Sequence, residues 1–557
     1  VSSASFLILT DLAAAPSIAP SGDPEGIRRE TMLVAWTALA LALVALAWCV
    51  RHRSLLLYGD AVAHLHIARR VFDSLTPGFR QLGSVWLPLP HILLLPFVLN
   101  MGWWHSGLAG ACLSIPSYVL GCAGIYRLAR MWLDMPAALV VVAFYGLNPG
   151  LLYMATTAMT EPLFLAEMIW AVLLIVQFQR ALLPPELPSE SPVGLAAGPL
   201  LIRAGLVLVG AIFTRYDGWV YAAVAWCFAT WALLAGRRRW SWRGQEAGAW
   251  VLFTALLAAA PSLWLAYNAK QFGDPLDFIR GPYSARAIEA RTTPPGSSPH
   301  PGAHNMHVSV LYFLKAAELG AAPLSLGKLL CWLSAAGTLA ALWGFSRRQI
   351  WPVLLLWSPL PFYAYSVAYG SVPIFIPIWR PFSWYNTRYG MELLPAFALF
   401  TGCVIPVLLS GLPRVRRYAL PASFLLVVAN SVVLLRSRPL VFQEAVVNSR
   451  SRIAFESALA NALLGIPGHG LILMRVSSDV GAVQQAAIPL RRIVNEGDYL
   501  TWQRALEAPA RNVSTVVAFD GDVVSQAVRR HPEGLQMSNV ICSTGQPCAR
   551  IYRSQFK

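Results

Sequence analysis

The polar chemistry of this 557-residue chain is gathered in a few short segments between apolar runs. The densest is Tyr58-Gly-Asp60-Ala-x-x-His64-x-His66, with Arg69, Arg70 and Asp73 just beyond. A helix over 61–74 brings Asp60 and His64 one turn apart on one face. Asp60 is then either a plain helix cap or a carboxylate available for catalysis. His64 and His66 are two residues apart and diverge on a helix, so they read as interfacial packing or headgroup contacts and not as a metal pair. Thr160-Glu161-Pro162 sets an acid at a helix start, where the helix dipole keeps it ionised whether it caps or reacts. Glu167 lies about 9 Å deeper at 1.5 Å rise per residue and needs a polar cavity or partner. Arg215 and Asp217 are close enough in sequence to pair at an interface, and Asp274 and Asp277 sit around a Gly-Asp-Pro turn. The segment with Arg380, Arg388 and Tyr389 mixes arginines with aromatics. It suits a phosphate headgroup flanked by an apolar chain, and equally an aromatic belt with snorkelling arginines. His300, His304 and His307 form either a metal tract or the polar filler of a Pro- and Gly-rich loop.

The elements that position these groups are membrane helices. The chain is 56% hydrophobic and 13% charged, against about 25% charged in soluble domains. That excludes a soluble globular enzyme, a disordered chain and a coiled coil. Continuous rather than alternating apolar runs exclude a membrane β-barrel. Eleven runs read as spans: 31–50, 107–126, 137–153, 162–178, 200–213, 219–235, 247–268, 324–345, 351–368, 391–410 and 418–435. The stretch 86–101 carries Pro88, Pro90, Pro96 and His91 and reads as a re-entrant or interfacial segment.

With residues 1–30 inside, the short loops holding Arg127 and Arg130, Arg180 and Arg203, Arg237 to Arg243, Arg347 and Arg348, and Arg414 to Arg417 all fall on the cytoplasmic face. Arg51 and Arg53 are the exceptions. Counting 86–101 as a full span inverts most of this pattern. The net charge of +16 is thereby explained by loop arginines, and nucleic acid is not expected as a partner. Asp60, Asp73, Glu161, Asp217, Asp274, Asp277 and Glu289 gather on the opposite, external face. That face also receives a first loop over 51–106, a long loop over 270–323 and the segment 369–389. Opening on Val1, the sequence is expected to lack its true start, and its first thirty residues lack the order of a signal peptide.

Beyond 435 the composition turns polar, and 436–557 reads as a small external α/β domain. Helices are expected over 444–464 and 522–530, and strands over 470–476, 512–519 and 537–541. Cys542 and Cys548 either close a short disulfide loop or remain two free thiols. The other six cysteines lie in or beside apolar runs.

There is no phosphate-cradling glycine loop, no His-Glu-x-x-His and no Gly-x-Ser-x-Gly. Taken in order, Tyr58-Gly-Asp60-Ala-x-x-His64, Trp86-Leu-Pro-Leu-Pro-His91, Thr160-Glu161-Pro162, Asn268-x-x-x-Phe272-Gly-Asp274-Pro275 and Arg388-Tyr389-Gly resemble the GT-C superfamily of membrane glycosyltransferases. Nearest is the polyprenyl-phosphate-sugar-dependent protein O-mannosyltransferase and aminoarabinose transferase group. The resemblance implies an all-α polytopic protein in the inner (plasma) membrane. Its activity would be hexosyl or pentosyl transfer from a polyprenyl-phosphate-linked sugar to a lipid, glycan or protein hydroxyl, with inversion. It implies Asp60 as the acid at the reaction centre and Glu161 as its helper or as a ligand for Mg²⁺ or Mn²⁺. Arg388 and Tyr389 would lie near the lipid phosphate with Arg380 and Arg69, and His64, Arg215, Asp217 and Asp274 would support them. The sequence departs from the pattern at Ala61, where many relatives have a second acid, and the tail has no counterpart. The rival from another class is a transporter or lipid flippase, which Glu167 favours and the lack of internal repeats disfavours.

Overall fold

The structure is a computed structural model that describes residues 24–182, 197–235, 245–292, 296, 298–344, 351–409, 411–466, 470–477 and 480–556. The expected cytoplasmic arginines at 237–239, 243, 347 and 348, and residues 1–23, lie outside the described residues.

The chain is an integral membrane protein built mainly of helices. Among the described residues, nine helices are long and apolar enough to cross a membrane, where the sequence suggests eleven. The shortfall has local causes. The run 137–153 is broken into α5 (Met135–Gly146) and α6 (Pro149–Met154). Between them, the Asn148 side chain accepts from the N–H groups of Gly150 and Leu151 and starts a new helix. The run 351–368 divides into a 3₁₀ turn, Trp351–Trp357, and α13 (Pro359–Tyr369), with Pro359 in the first helical turn. The remaining spans match their expected runs within a few residues: α1 (Pro24–Arg51), α4 (Leu108–Ala129), α7 (Glu161–Ala181), α8 (Ala197–Thr214), α9 (Asp217–Ala235), α10 (Gln245–Phe272), α12 (Leu324–Gly344), α14 (Leu394–Leu408) and α15 (Pro413–Ser437). The most buried of them is α7, which packs between α4 and α8.

Two short helices stand beside the spans. The first loop folds into α2 (Gly59–Arg70) and α3 (Leu89–Val98), which pack on each other. With only ten residues, α3 is too short to cross a bilayer, as the prolines at its start suggest. The loop 270–323 corrects a sequence expectation. It contains a 16-residue helix, α11 (Met306–Ala321), whose Ser309, Tyr312, Phe313, Ala316 and Ala317 are buried. Its start is capped by Asn305, which accepts from Val308 N–H at 3.1 Å. The His300–His307 tract is therefore the turn and cap of this helix, and His300 lies 3.8 Å from Glu289.

The C-terminal part begins with α16 (Leu440–Leu464) and continues into a five-stranded mixed sheet of order β2-β1-β3-β5-β4. The strands are β1 (Ile472–Met474), β2 (Ile493–Val494), β3 (Thr515–Phe519), β4 (Leu535–Ile541) and β5 (Ala549–Ser554). β1 runs parallel to β2 and β3, and β5 is antiparallel to β3 and β4. β3 is buried throughout. Asp522 caps the expected helix α17 (Val523–Arg530). Cys542 and Cys548 form a disulfide across the β4–β5 turn. Two strands escaped the sequence reading: β2 has only two residues, and β5 carries two arginines among its apolar positions.

Candidate active site

Arg388 and Arg215 sit at the centre of one connected cluster at one end of the bundle. Arg388 belongs to a 3₁₀ turn, Thr387–Leu393, that leads directly into α14. Its Nη2 donates to Asp60 Oδ2 at 2.5 Å and its Nε to Glu161 Oε1 at 3.1 Å, while Nη1 lies 3.7 Å from Glu444. Arg215, between α8 and α9, pairs with Glu161 at 3.3 Å, Asp217 at 3.2 Å and Glu392 at 3.2 Å. It also donates to Thr160 Oγ1 at 2.9 Å and to Tyr363 Oη at 2.7 Å. Glu161 Oε1 thus accepts from both arginines. The Tyr363 hydroxyl lies 2.9 Å from Asp217 and 2.7 Å from Glu392. The Tyr389 ring sits beneath both guanidiniums, 4.9 Å from Arg388 and 5.2 Å from Arg215. Two cations therefore face five carboxylates, Asp60, Glu161, Asp217, Glu392 and Glu444. All are strongly buried except Asp60, whose side chain is 39% exposed.

Asp60 does not cap its helix. It lies in the first turn of α2, where the N-terminal dipole favours an anion, and its carboxylate turns to Arg388. His64, one turn on, is buried behind it. Its Nδ1 is 2.9 Å from Nε2 of His91 in α3, and its ring lies 4.3 Å from Trp86. Burial first, then the nearby Arg388 and Arg215 charges, push the imidazole down to about 3. It is neutral at any ordinary pH and fastens α2 to α3.

Asp60, Glu161, Arg215, Asp217, Arg388 and Tyr389, expected at the site, converge. Arg69, Arg380 and Asp274 do not. Arg69 is buried, paired with Asp73 at 2.8 Å and bonded to the Val98 carbonyl at 2.6 Å. Its guanidinium stacks on Trp104, so it anchors the first loop instead of meeting a phosphate. Arg380 is exposed, outside the cluster. Asp274 accepts from Leu276 N–H and serves its turn. Glu167 accepts from Thr214 at 3.1 Å, the polar partner its depth requires.

Three members were not foreseen. Tyr363 and Glu392 lie in apolar helical runs, where only the cost of burying a lone carboxylate marked Glu392 out. Glu444 comes from α16, far along the chain. Its carboxylate accepts from the Asn386 and Thr387 N–H groups at 2.9 and 2.8 Å and from the Thr387 hydroxyl. The same helix reaches the first loop: Tyr58 Oη donates to the Val441 carbonyl at 2.8 Å, and Arg452 donates to the Leu56 and Leu57 carbonyls at 2.9 Å.

Against known structures, the chain superposes on ArnT from Cupriavidus metallidurans in its apo state with a TM-score of 0.51 at 15% identity, covering 93% of this chain and 97% of that one. The same protein bound to undecaprenyl phosphate gives 0.52 at 14% identity, with the same coverages. The chain shares the fold of these ArnT structures. The archaeal oligosaccharyltransferase AglB from Archaeoglobus fulgidus, in complex with an inhibitory peptide and a dolichol-phosphate, gives 0.43 at 12% identity over 87% of this chain and 69% of that one. No family model and no curated protein matches the sequence.

The resemblance read from the sequence implies a divalent metal at Glu161, and the geometry there tests it. Its Oε1 is taken by two guanidiniums, and its Oε2 is buried without a hydrogen-bond partner. Among the described residues, no group of three His, Cys, Asp or Glu side chains is placed to hold an ion. The residue after Asp60 is Ala61, which offers no ligand. The donor set at Glu161 does not fit Mg²⁺ or Mn²⁺.

Proposed function

We propose that this protein transfers a hexosyl or pentosyl group from a polyprenyl-phosphate donor to an acceptor hydroxyl on a lipid, glycan or protein. The site then faces the outside of the inner membrane, with the N terminus in the cytoplasm. The observation that carries this reading is the Asp60–Arg388 pair: a half-exposed carboxylate on a buried guanidinium, at one end of an apolar helical bundle. A base and a phosphate-binding cation share that pair. The superposed ArnT structure bound to undecaprenyl phosphate supports the lipid class.

In the proposed reaction Asp60 takes the acceptor O–H proton as the oxygen bonds to the anomeric carbon. The bond from that carbon to the phosphate oxygen breaks, and its electron pair leaves with the lipid phosphate. Arg388 offsets the charge on that leaving group. Attack opposite the departing oxygen inverts the sugar carbon. Glu161, Glu444 and the Tyr389 ring hold the guanidinium in place. Arg215, with Asp217, Glu392 and Tyr363, braces Glu161.

The test is purified protein with a panel of polyprenyl-phosphate sugars and a membrane extract as acceptor source. Wild type is expected to release polyprenyl phosphate and Asp60→Asn is not. Release at the wild-type rate by Asp60→Asn removes Asp60 as the base. No release with any donor removes the transferase reading.

A further inference from the structure

Every nitrogen of Arg388 already faces a carboxylate, so a phosphate meets no vacant edge. Two of the three partners are sealed in: the Glu161 and Glu444 side chains are 0% and 2% exposed. The faces of the guanidinium are flanked by Tyr389 at 4.9 Å and Tyr58 at 5.5 Å. The remaining approach is the edge held by Asp60, whose side chain is 39% exposed. Asp60 makes no capping bond to α2, so its side chain can turn away without undoing the helix start. The balance of charge points the same way. The cluster already holds more carboxylates than guanidiniums, and an added phosphate beside all of them is repelled unless one moves off.

We infer that the phosphate of the donor exchanges with Asp60 on Arg388, and that this exchange releases Asp60 to act as the base. The inference rests on the proposed transferase reading and gives it an order. Before the donor arrives, the Asp60 carboxylate is occupied by Arg388. Once phosphate takes the Nη2 edge, the carboxylate is free to turn to the acceptor hydroxyl. Donor binding thereby arms the base, and acceptor activation waits for it.

The experiment is equilibrium binding of undecaprenyl phosphate, without sugar, to wild type, Asp60→Ala and Asp60→Asn in detergent, with inorganic phosphate as a second arm. Removing the competing carboxylate is expected to tighten undecaprenyl phosphate on the order of tenfold, the scale of one charge-assisted hydrogen bond partly open to water. Tightening of both ligands by a similar factor supports the exchange at the anion itself. Tightening of the lipid alone supports it with the lipid headgroup as the source, whereas tightening of inorganic phosphate alone overturns the lipid assignment. Binding by wild type with equal or weaker binding by both variants overturns the exchange and leaves the transferase reading standing. No binding by wild type overturns both. A second measurement needs no variant: in a structure of wild type with undecaprenyl phosphate, Asp60 is expected beyond hydrogen-bond distance of Arg388 while the Glu161 contact stays. An intact Asp60–Arg388 contact beside bound phosphate overturns the exchange.

Discussion

A guanidinium that meets three carboxylates along three edges cannot be replaced by an ammonium, which is a single point charge. Arg388→Lys is expected to lower the transfer rate by about 10²–10³ with normal expression, read from initial rates with saturating donor. At His64 the prediction concerns pH. In the unfolded chain an imidazole takes a proton below about 6.5, whereas the folded His64 takes one only near 3. The folded state is therefore favoured in full above pH 6.5, and this contribution is lost progressively as pH falls toward 3, by about 2 kcal/mol at pH 5. His64→Gln should lose less melting temperature between pH 7 and pH 5 than wild type does. At this scale the sequence was informative where a residue announced its chemistry. Asp60, Glu161, Arg215 and Asp217 stand at the ends of apolar runs, where a charge needs a reason. Arg69 misled because an arginine beside an acid looks the same from sequence whether it binds phosphate or anchors a loop. Glu444 was invisible as a site residue because its partners Thr387 and Asn386 lie 57 and 58 positions away in sequence.

The elements place these side chains through close backbone contact. Gly390 follows Tyr389 in the turn before α14, and a Cβ there would run into the backbone of Ala316 and Ala317 in α11. Gly390→Ala is expected to push the turn off α11, lowering activity at least tenfold and stability by about 2 kcal/mol. Kinetics and a thermal melt would check it, and an unchanged pair of values removes this contact from the site's support. The grip of α16 gives a second prediction. Glu444→Ala leaves the Asn386 and Thr387 N–H groups without their acceptor and loosens Arg388. The donor KM should rise by about tenfold or more, with Glu444→Asp recovering part of it. Apolar length and hydropathy made most spans readable. The breaks at Asn148 and before Pro359, and the helix α11, were not readable that way. Each depends on a local hydrogen bond or on burial against other elements, and hydropathy reports neither.

For the molecule as a whole, the arrangement predicts which ends face which compartment. A membrane-impermeant maleimide should label Asn539→Cys, exposed on β4, in intact cells, and Arg417→Cys, exposed at the start of α15, only after permeabilisation. The opposite pattern puts the site inside. The α/β character of the tail was legible from its strand-like runs, but its tie to the membrane part was not, because nothing in the composition of α16 marks it as a splint. That splint has a consequence for biosynthesis. Tyr58 and Val441 are 383 residues apart, so at about 5–20 residues per second the first loop waits roughly 20 to 80 s on the ribosome's schedule for the segment that braces it. For most of that interval the nascent chain carries Asp60 and Glu161 but neither Glu444 nor the carbonyl that holds Tyr58. On the proposed transferase reading, a copy that stops before Val441 holds its first loop and Arg388 unbraced and is expected to bind donor weakly, and full competence arrives only with the last fifth of translation.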